Sequence, residues 1–212
     1  MPVPFQVWPL VSGMSPQNLL PSDGIATYFP GLFGEEESCA FLELLTHDII
    51  WQHDEVVLFG KQYITARKVA WYGDQPFDYR YSGNSHQAKP WTGGLQAIKN
   101  RVDETTGHHF NSCLLNLYHE GNEGIGWHSD DEKTLDPSAA IASVSFGAVR
   151  KFAFRHKESR VKISLELGNG SLLLMESPTQ TYWHHALLKT ARKTGPRINL
   201  TFRKMKAGSI FW

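Results

Sequence analysis

A chain of 212 residues, 41% apolar and holding 7 Trp, 7 Tyr and 12 Phe, is long enough for one well-packed domain and too rich in core-forming residues to be disordered. Net charge is zero but unevenly placed: residues 1–60 hold 8 acidic residues and no Lys or Arg, while 61–212 carry all 21 basic residues. The longest apolar stretches are strand-length, which excludes a membrane-spanning helix, and two cysteines, Cys39 and Cys113, exclude a disulfide framework.

Residues 1–30, rich in Pro, Ser and Gly and without periodicity, read as an N-terminal extension. Its start lacks a basic region and is interrupted by Pro2, Pro4, Pro9 and Pro16, unlike a signal peptide. A helix is predicted over 35–49, with Glu35, Glu36 and Glu37 at its positive end and Phe41, Leu44 and Leu45 on one face. A second is predicted over 92–106, with Leu95, Ile98 and Val102 on one face and Gly107 as a stop. From there the pattern changes to short strands at 113–118, 141–146, 151–155, 162–167, 171–175, 181–186 and 197–203, mostly separated by Gly-containing turns. Such spacing predicts a mainly β, α+β fold: helices buttressing a C-terminal jelly roll.

His128 and Asp130 are two residues apart, so in a strand both side chains would point the same way while Ser129 faces elsewhere. With a third ligand from His184 or His185, at the end of a later strand, they make two histidines and one carboxylate. That set leaves open positions on a ferrous ion for a co-substrate and O2. Neighbouring strand residues face opposite sides, so only one of His184 and His185 reaches the metal, and parity leaves both open.

Arg197, Asn199, Thr201 and Arg203 alternate with Ile198, Leu200 and Phe202, which gives one strand a polar face and an apolar one. Asn116 and Tyr118 form a similar polar pair in an otherwise apolar strand. Two arginines pointing into a barrel require anions. A small dicarboxylate that chelates iron at one end and meets Arg and Tyr at the other satisfies them, and 2-oxoglutarate has that form.

Together these residues resemble the AlkB family of Fe(II)/2-oxoglutarate dioxygenases, from about Val57 to Met205. The resemblance lies in Asn116 and Tyr118, followed by His128, Ser129, Asp130, Asp131 and Glu132. It continues in Ile141-Ala-Ser-Val-Ser-Phe-Gly147 and Phe152-x-Phe154-Arg155-His156-Lys157, and ends in Arg197-Ile-Asn-Leu-Thr-Phe-Arg203. Arg197 follows His185 by 12 residues, the family spacing, and this selects His185 over His184. The nearest branch looks like the animal DNA-repair homologues that act on double-stranded DNA.

The resemblance implies a double-stranded β-helix over about 110–205 and a nucleotide-recognition lid over about 55–90, in a single domain spanning 31–212. It implies iron on His128, Asp130 and His185. Arg197 and Tyr118 would hold the far carboxylate of 2-oxoglutarate; Arg203, Asn116 and Asn199 would support its iron-proximal end, and Thr201 would line the same pocket. The implied activity is oxidative dealkylation of bases such as 1-methyladenine and 3-methylcytosine, using Fe(II), 2-oxoglutarate and O2 and releasing formaldehyde, succinate and CO2. Phe59, Gly60 and Lys61 match a hairpin that inserts an aromatic wedge beside the damaged base. Tyr79, Arg80, Tyr81 and Ser82 resemble the lid over the lesion pocket. Asp131 and Glu132 correspond to acidic residues facing the substrate, suited to a base that methylation has made cationic.

The expected partner is alkylated DNA, single- or double-stranded, or RNA, met by a monomer away from membranes, in a bacterial cytoplasm or a eukaryotic nucleus. The chain departs from the double-strand-specific branch after Lys157. There Glu158-Ser-Arg160-Val-Lys162 runs almost directly into the next strand where that branch has a longer basic loop. Two alternatives remain beside DNA dealkylation. One is the same chemistry on methylated RNA or protein; the other is a non-catalytic jelly roll whose histidines are structural or hold zinc.

Overall fold

The computed structural model describes residues 17–58, 61–81 and 84–206. A short strand, β1 (Ile25–Phe29), precedes helix α1 (Glu35–Asp48), whose three leading glutamates sit in the first turn. Strands β2 (Gln52–Leu58), β3 (Lys61–Gly73), β4 (Asp78–Tyr81) and β5 (Asn84–Gln87) follow as two antiparallel hairpins. Helix α2 (Gly93–Thr106) starts where the Thr92 hydroxyl accepts the Leu95 N–H and stops at Gly107, whose φ of 71° suits a residue without a side chain.

The rest is β6 (Ser112–Tyr118), β7 (Ile125–His128), β8 (Ile141–Gly147), β9 (Arg150–His156), β10 (Lys162–Leu167), β11 (Ser171–Glu176), a single helical turn α3 (Thr179–Tyr182), β12 (Trp183–Leu187) and β13 (Arg197–Arg203). They form a seven-stranded sheet ordered β1-β11-β8-β13-β6-β3-β2 facing a four-stranded sheet ordered β10-β9-β12-β7. Strands β6 to β13 contribute four to each sheet, which is the predicted jelly roll.

Alternation within the strands decides what each face of the large sheet meets. Cys113, Leu115, Leu117, Ala142, Val144, Phe146, Ile198, Leu200 and Phe202 point away from the small sheet, into a core closed by Leu45, Leu95, Ile98 and Val102 of the two helices. Burial of these side chains is nearly complete, and truncating a buried Phe such as Phe146 costs about 3–5 kcal/mol. A second core of Leu173, Met175, Phe152, Phe154, Trp183 and Leu187 fills part of the space between the sheets. The rest of that space is polar, and it is the site.

Three expectations change. Residues 25–29 of the predicted extension are an edge strand paired with β11, and Leu20 ahead of them is buried. Trp183 Nε1 donates to the Ser22 carbonyl and Thr179 Oγ1 to that of Ile25, so this stretch is bonded to the fold. The predicted strand 181–186 begins instead as the helical turn α3 and becomes strand at Trp183. Strand β7 ends at His128, so Asp130 lies beyond it, and its convergence with His128 comes from the following loop rather than from strand alternation.

Candidate metal centre and co-substrate pocket

His128 and His185 face each other across the β7–β12 pairing, with ring centroids 4.3 Å apart. Asp130 Oδ1 lies 3.5 Å from His128 Nε2 and 3.9 Å from His185 Nε2. All three ligand atoms fall within 4.8 Å of one another, which fits one small cation. His128 Nδ1 is 2.8 Å from the Gly126 carbonyl; a carbonyl only accepts, so Nδ1 carries the proton and the Nε2 lone pair is left for a metal. His185 is held between aromatic neighbours, stacked on Phe152 at 5.5 Å and edge-on to Phe154 at 6.4 Å.

Charge favours the ligating forms. Burial pushes His185 down to about 3, and the charges of His128, Arg203 and His184 add to this against the pull of Asp130, so the ring is neutral at physiological pH. Burial works to raise the Asp130 carboxyl, but Arg203, His185 and His128 outweigh it and hold the group below its usual range. Arg203 Nη2 donates to Asp130 Oδ2 at 2.9 Å, leaving Oδ1 turned toward the histidines.

The ligand loop is fastened from outside. Gln180 Oε1 accepts the Asp130 backbone N–H at 3.0 Å, and Ser129 Oγ donates to the Trp183 carbonyl at 3.1 Å. Gln180 and Ser129 had no role in the sequence reading. Their importance depends on α3 packing against the β7 loop, which no local pattern announces.

The polar face of β13 forms the floor. Arg197 sits opposite Tyr118, and Asn199 lies between Asn116 on β6 and Ser145 on β8. Arg197 Nη2 donates to Ser145 Oγ at 2.9 Å; Asn199 Nδ2 donates to Ser143 Oγ at 2.8 Å and to the Val144 carbonyl. Thr201 Oγ1 donates to Asn199 Oδ1 at 3.4 Å. Ser143 and Ser145 are thus part of the site; their spacing by two in an apolar strand was the available signal.

Arg197 is 2% exposed, and its Nε and Nη1 have no hydrogen-bond partner. No carboxylate among the described residues lies within salt-bridge distance of it. Burial, with some opposition from Tyr118, brings Arg197 down to about 10, so it remains a cation at neutral pH. Asn116 Oδ1 is likewise buried without a partner. A buried guanidinium with an unfilled edge is costly unless an anion meets it. The carboxylate of a dicarboxylic acid fits that edge, and the other end of the same acid would lie toward the histidines.

All of this opens into one cavity of about 730 Å³, which holds His128, Asp130 and His185 together with Tyr118 and Arg197. Gln52, Arg67, Trp71 and Gln87 of the hairpin strands line its other wall. Asp131 and Glu132 border it but differ in state. Asp131 is exposed, with a carboxylate oxygen 4.0 Å from Lys157 Nζ, whereas Glu132 Oε1 lies 3.4 Å from Arg203 Nη1. Phe59, Gly60 and Ser82 lie outside the described residues; Lys61 opens β3, and Tyr79, Arg80 and Tyr81 lie on β4. His184 points to the opposite side of β12 from His185, paired with Arg155 of β9.

A jelly roll carrying a two-histidine, one-carboxylate cluster and a buried anion socket defines a non-haem iron oxygenase that uses a 2-oxo acid. The 2OG-Fe(II) oxygenase superfamily model matches residues 25–203. The chain is 42% identical over 197 residues to DNA oxidative demethylase ALKBH2 of Mus musculus, covering 88% of this chain and 82% of that protein. It is 40% identical over 187 residues to alpha-ketoglutarate-dependent dioxygenase alkB homolog 3 of Homo sapiens, covering 82% of this chain and 64% of that protein. The solved structure of OsALKBH1 superposes with a TM-score of 0.63 at 13% identity, covering 84% of this chain and 97% of that one, a likeness of fold. The chain belongs to the 2OG-Fe(II) oxygenase superfamily, in its AlkB branch. It is an Fe(II)- and 2-oxoglutarate-dependent dioxygenase.

Proposed function

We propose that the protein removes alkyl groups from ring nitrogens of DNA bases, of the 1-methyladenine and 3-methylcytosine type, as a direct-reversal repair enzyme. The observation that carries the reading is the single cavity that joins the His-Asp-His cluster to the unfilled edge of Arg197 and is walled by two hairpins. DNA is supported as the substrate by the names of the ALKBH2 relatives.

In this reading His128, Asp130 and His185 hold the iron. Arg197 and Tyr118 take the far carboxylate of 2-oxoglutarate, while Asn116, Asn199, Thr201 and Arg203 shape the pocket around the rest. Bound Fe(II), 2-oxoglutarate and O2 supply the oxidising power to hydroxylate an N-methyl carbon, with 2-oxoglutarate leaving as succinate and CO2 and the methyl group as formaldehyde. Arg203 keeps Asp130 ionised and fixed in direction, and the Gly126 carbonyl keeps His128 in its ligating tautomer. Asp131, exposed at the cavity mouth, offers a carboxylate to a cationic methylated base. Glu132 is engaged by Arg203 and contributes less free charge there. Phe59, Gly60 and Lys61, with Tyr79, Arg80, Tyr81 and Ser82, touch the nucleic acid.

The site is complete within one chain, and the protein acts as a monomer. It works where genomic DNA lies, in the cytoplasm of a bacterium or the nucleus of a eukaryote. The link from β9 to β10 is only residues 157–161, which leaves little to grip a second strand, so single-stranded DNA is the better substrate.

The test is formaldehyde release from oligonucleotides carrying 3-methylcytosine or 1-methyladenine, as single strands, duplexes and RNA, with Fe(II), ascorbate and 2-oxoglutarate. Turnover on methylated DNA is expected, faster on single strands. No turnover on any DNA under these conditions overturns the reading, and turnover confined to RNA moves it to another substrate.

A further inference from the structure

Strand β7, which carries His128, has little of its own to fix it. It is four residues long and lies at the edge of the small sheet, paired with β12. Two pairs, His185↔His128 and Leu187↔Ile125, set its register, and between them Gly126 and Trp127 stand against Ala186 alone. A bulge of this kind interrupts the ladder. Packing does not compensate: the His128 side chain is 37% exposed, whereas that of His185 is 6% exposed and packed on Phe152 and Phe154.

What fixes β7 lies at its two ends. Past His128, the bonds of Ser129 and Asp130 tie the chain to Trp183 and Gln180. Ahead of Ile125 the tie is Arg150, which opens β9 and is 2% exposed. Its Nη2 donates to the carbonyls of Glu123 at 2.6 Å, Leu188 at 2.9 Å and Gly121 at 3.0 Å, and its Nη1 to that of Glu120 at 3.3 Å. Among the described residues no carboxylate lies within salt-bridge distance of Arg150, so these carbonyls are what solvates the buried cation. One guanidinium thus joins β9, the exit of β12 and the loop that leads into β7. The backbones meet closely at this joint. The Thr190 N–H donates to the Gly121 carbonyl at 2.8 Å, and a Cβ on Gly124 would lie 2.5 Å from the Leu187 carbonyl oxygen, nearer than a side chain allows.

We propose that Arg150 is a positioning residue for the metal centre: it clamps the β6–β7 loop to the end of β12 and so sets the approach of His128 to His185. The inference rests on the reading above that these two histidines hold the iron. The work needs a planar fork of donors, because the four carbonyls come from two separate segments, and a lysine ammonium reaches fewer of them.

The experiment is release of Fe(II) from the loaded protein to ferrozine under argon at pH 7, with the melting temperature of each protein. It is run on wild type, Arg150→Met, Arg150→Lys, Gly124→Ala, the double variant Arg150→Met with Gly124→Ala, and Val102→Ala. Val102 lies on α2 in the core beneath the helices, so its truncation reports loss of stability alone. Arg150→Met should release iron about 10-fold faster, the lower end of the range for groups that support a metal ligand. Arg150→Lys should fall between it and wild type. Gly124→Ala, whose methyl group forces the same joint apart, should also speed release, and it carries the comparison with Arg150→Lys where Arg150→Met does not fold. The double variant should be no faster than the faster single variant, because both open one joint. Val102→Ala should lower the melting temperature and release iron at the wild-type rate. Unchanged release in the Arg150 variants, effects that multiply in the double variant, or equal acceleration in Val102→Ala overturns the proposal. Failure of the underlying reading shows separately: iron held by His185→Ala as by wild type means that the ligand assignment itself is wrong.

Discussion

Asp130 gives one carboxylate oxygen to Arg203, at 2.9 Å from Nη2, and turns the other toward both ligand histidines. Both partners are almost fully buried, so the pair is shielded from solvent and each group depends on the other. Replacing Arg203 by Gln removes the largest of the charges that together outweigh burial at Asp130. The carboxyl pKa then rises and the oxygen facing the histidines loses its fixed direction. Iron affinity should fall about 10- to 100-fold, the range seen when groups supporting a metal ligand are removed. Competitive titration of iron at pH 7 checks this; unchanged affinity would show that Asp130 is held without Arg203.

His185→Ala should abolish stoichiometric iron binding, whereas His184→Ala should leave it intact. His184 lies on the other face of β12, where Arg155, Lys157 and Arg160 surround it and make a metal cation unwelcome. Equal iron affinity in the two variants would overturn the assignment.

His185 also sets a pH dependence in the metal-free protein. Its pKa is about 3 when folded and about 6.5 when unfolded. Between those values the unfolded chain binds a proton that the folded one does not, so stability falls as pH falls through that window. The slope from this group is about 1.4 kcal/mol per pH unit below about pH 6. Urea denaturation of the metal-free protein at pH 7, 6 and 5 should show it, and His185→Gln should lack that component. Equal slopes in the two proteins would show that the ring is not held neutral by burial.

The strand most legible in the sequence was β13, because strict alternation leaves no doubt about which residues share a face; Arg197, Asn199, Thr201 and Arg203 do lie together on the buried polar side. The helices were equally clear from their spacing and from Gly107. Strand β3 was not, for a physical reason. Its bulge sets Thr65, Ala66 and Arg67 against the single residue Asp54, so alternation cannot say which of those three faces inward. The loop carrying Asp130 and the four residues of α3 are too short for any periodicity, and what joins them is tertiary. The members of the His-Asp-His cluster could thus be read from the chain, while the bonds that hold them in place could not.

Arg197→Lys should raise the 2-oxoglutarate concentration needed for half-maximal turnover. The guanidinium donates through Nη2 to Ser145 while its Nε and Nη1 have no partner, and a single ammonium cannot reproduce that planar set of donors. A charge-assisted hydrogen bond contributes about 1.5–3 kcal/mol, so the increase should be roughly 10- to 100-fold. Steady-state kinetics at saturating DNA measures it, and an unchanged requirement would place the carboxylate elsewhere.

Gln180 tests whether the ligand loop is fixed from behind. Its Oε1 accepts the Asp130 N–H, its backbone carbonyl accepts Lys157 Nζ at 2.8 Å, and its Nε2 rests on Met175 Sδ. Gln180→Ala removes only the side-chain part, leaving the Asp130 N–H without its acceptor and the loop free to shift relative to His185. Iron should dissociate about 10-fold faster. Gln180→Glu keeps an oxygen at the same reach and should restore the rate to within about threefold of wild type, since the lost bond is to an acceptor that either side chain supplies. A merely structural role would lower the melting temperature in Gln180→Ala without altering iron release. Faster release with an unshifted melting temperature, reversed in Gln180→Glu, is the signature of a residue that positions Asp130.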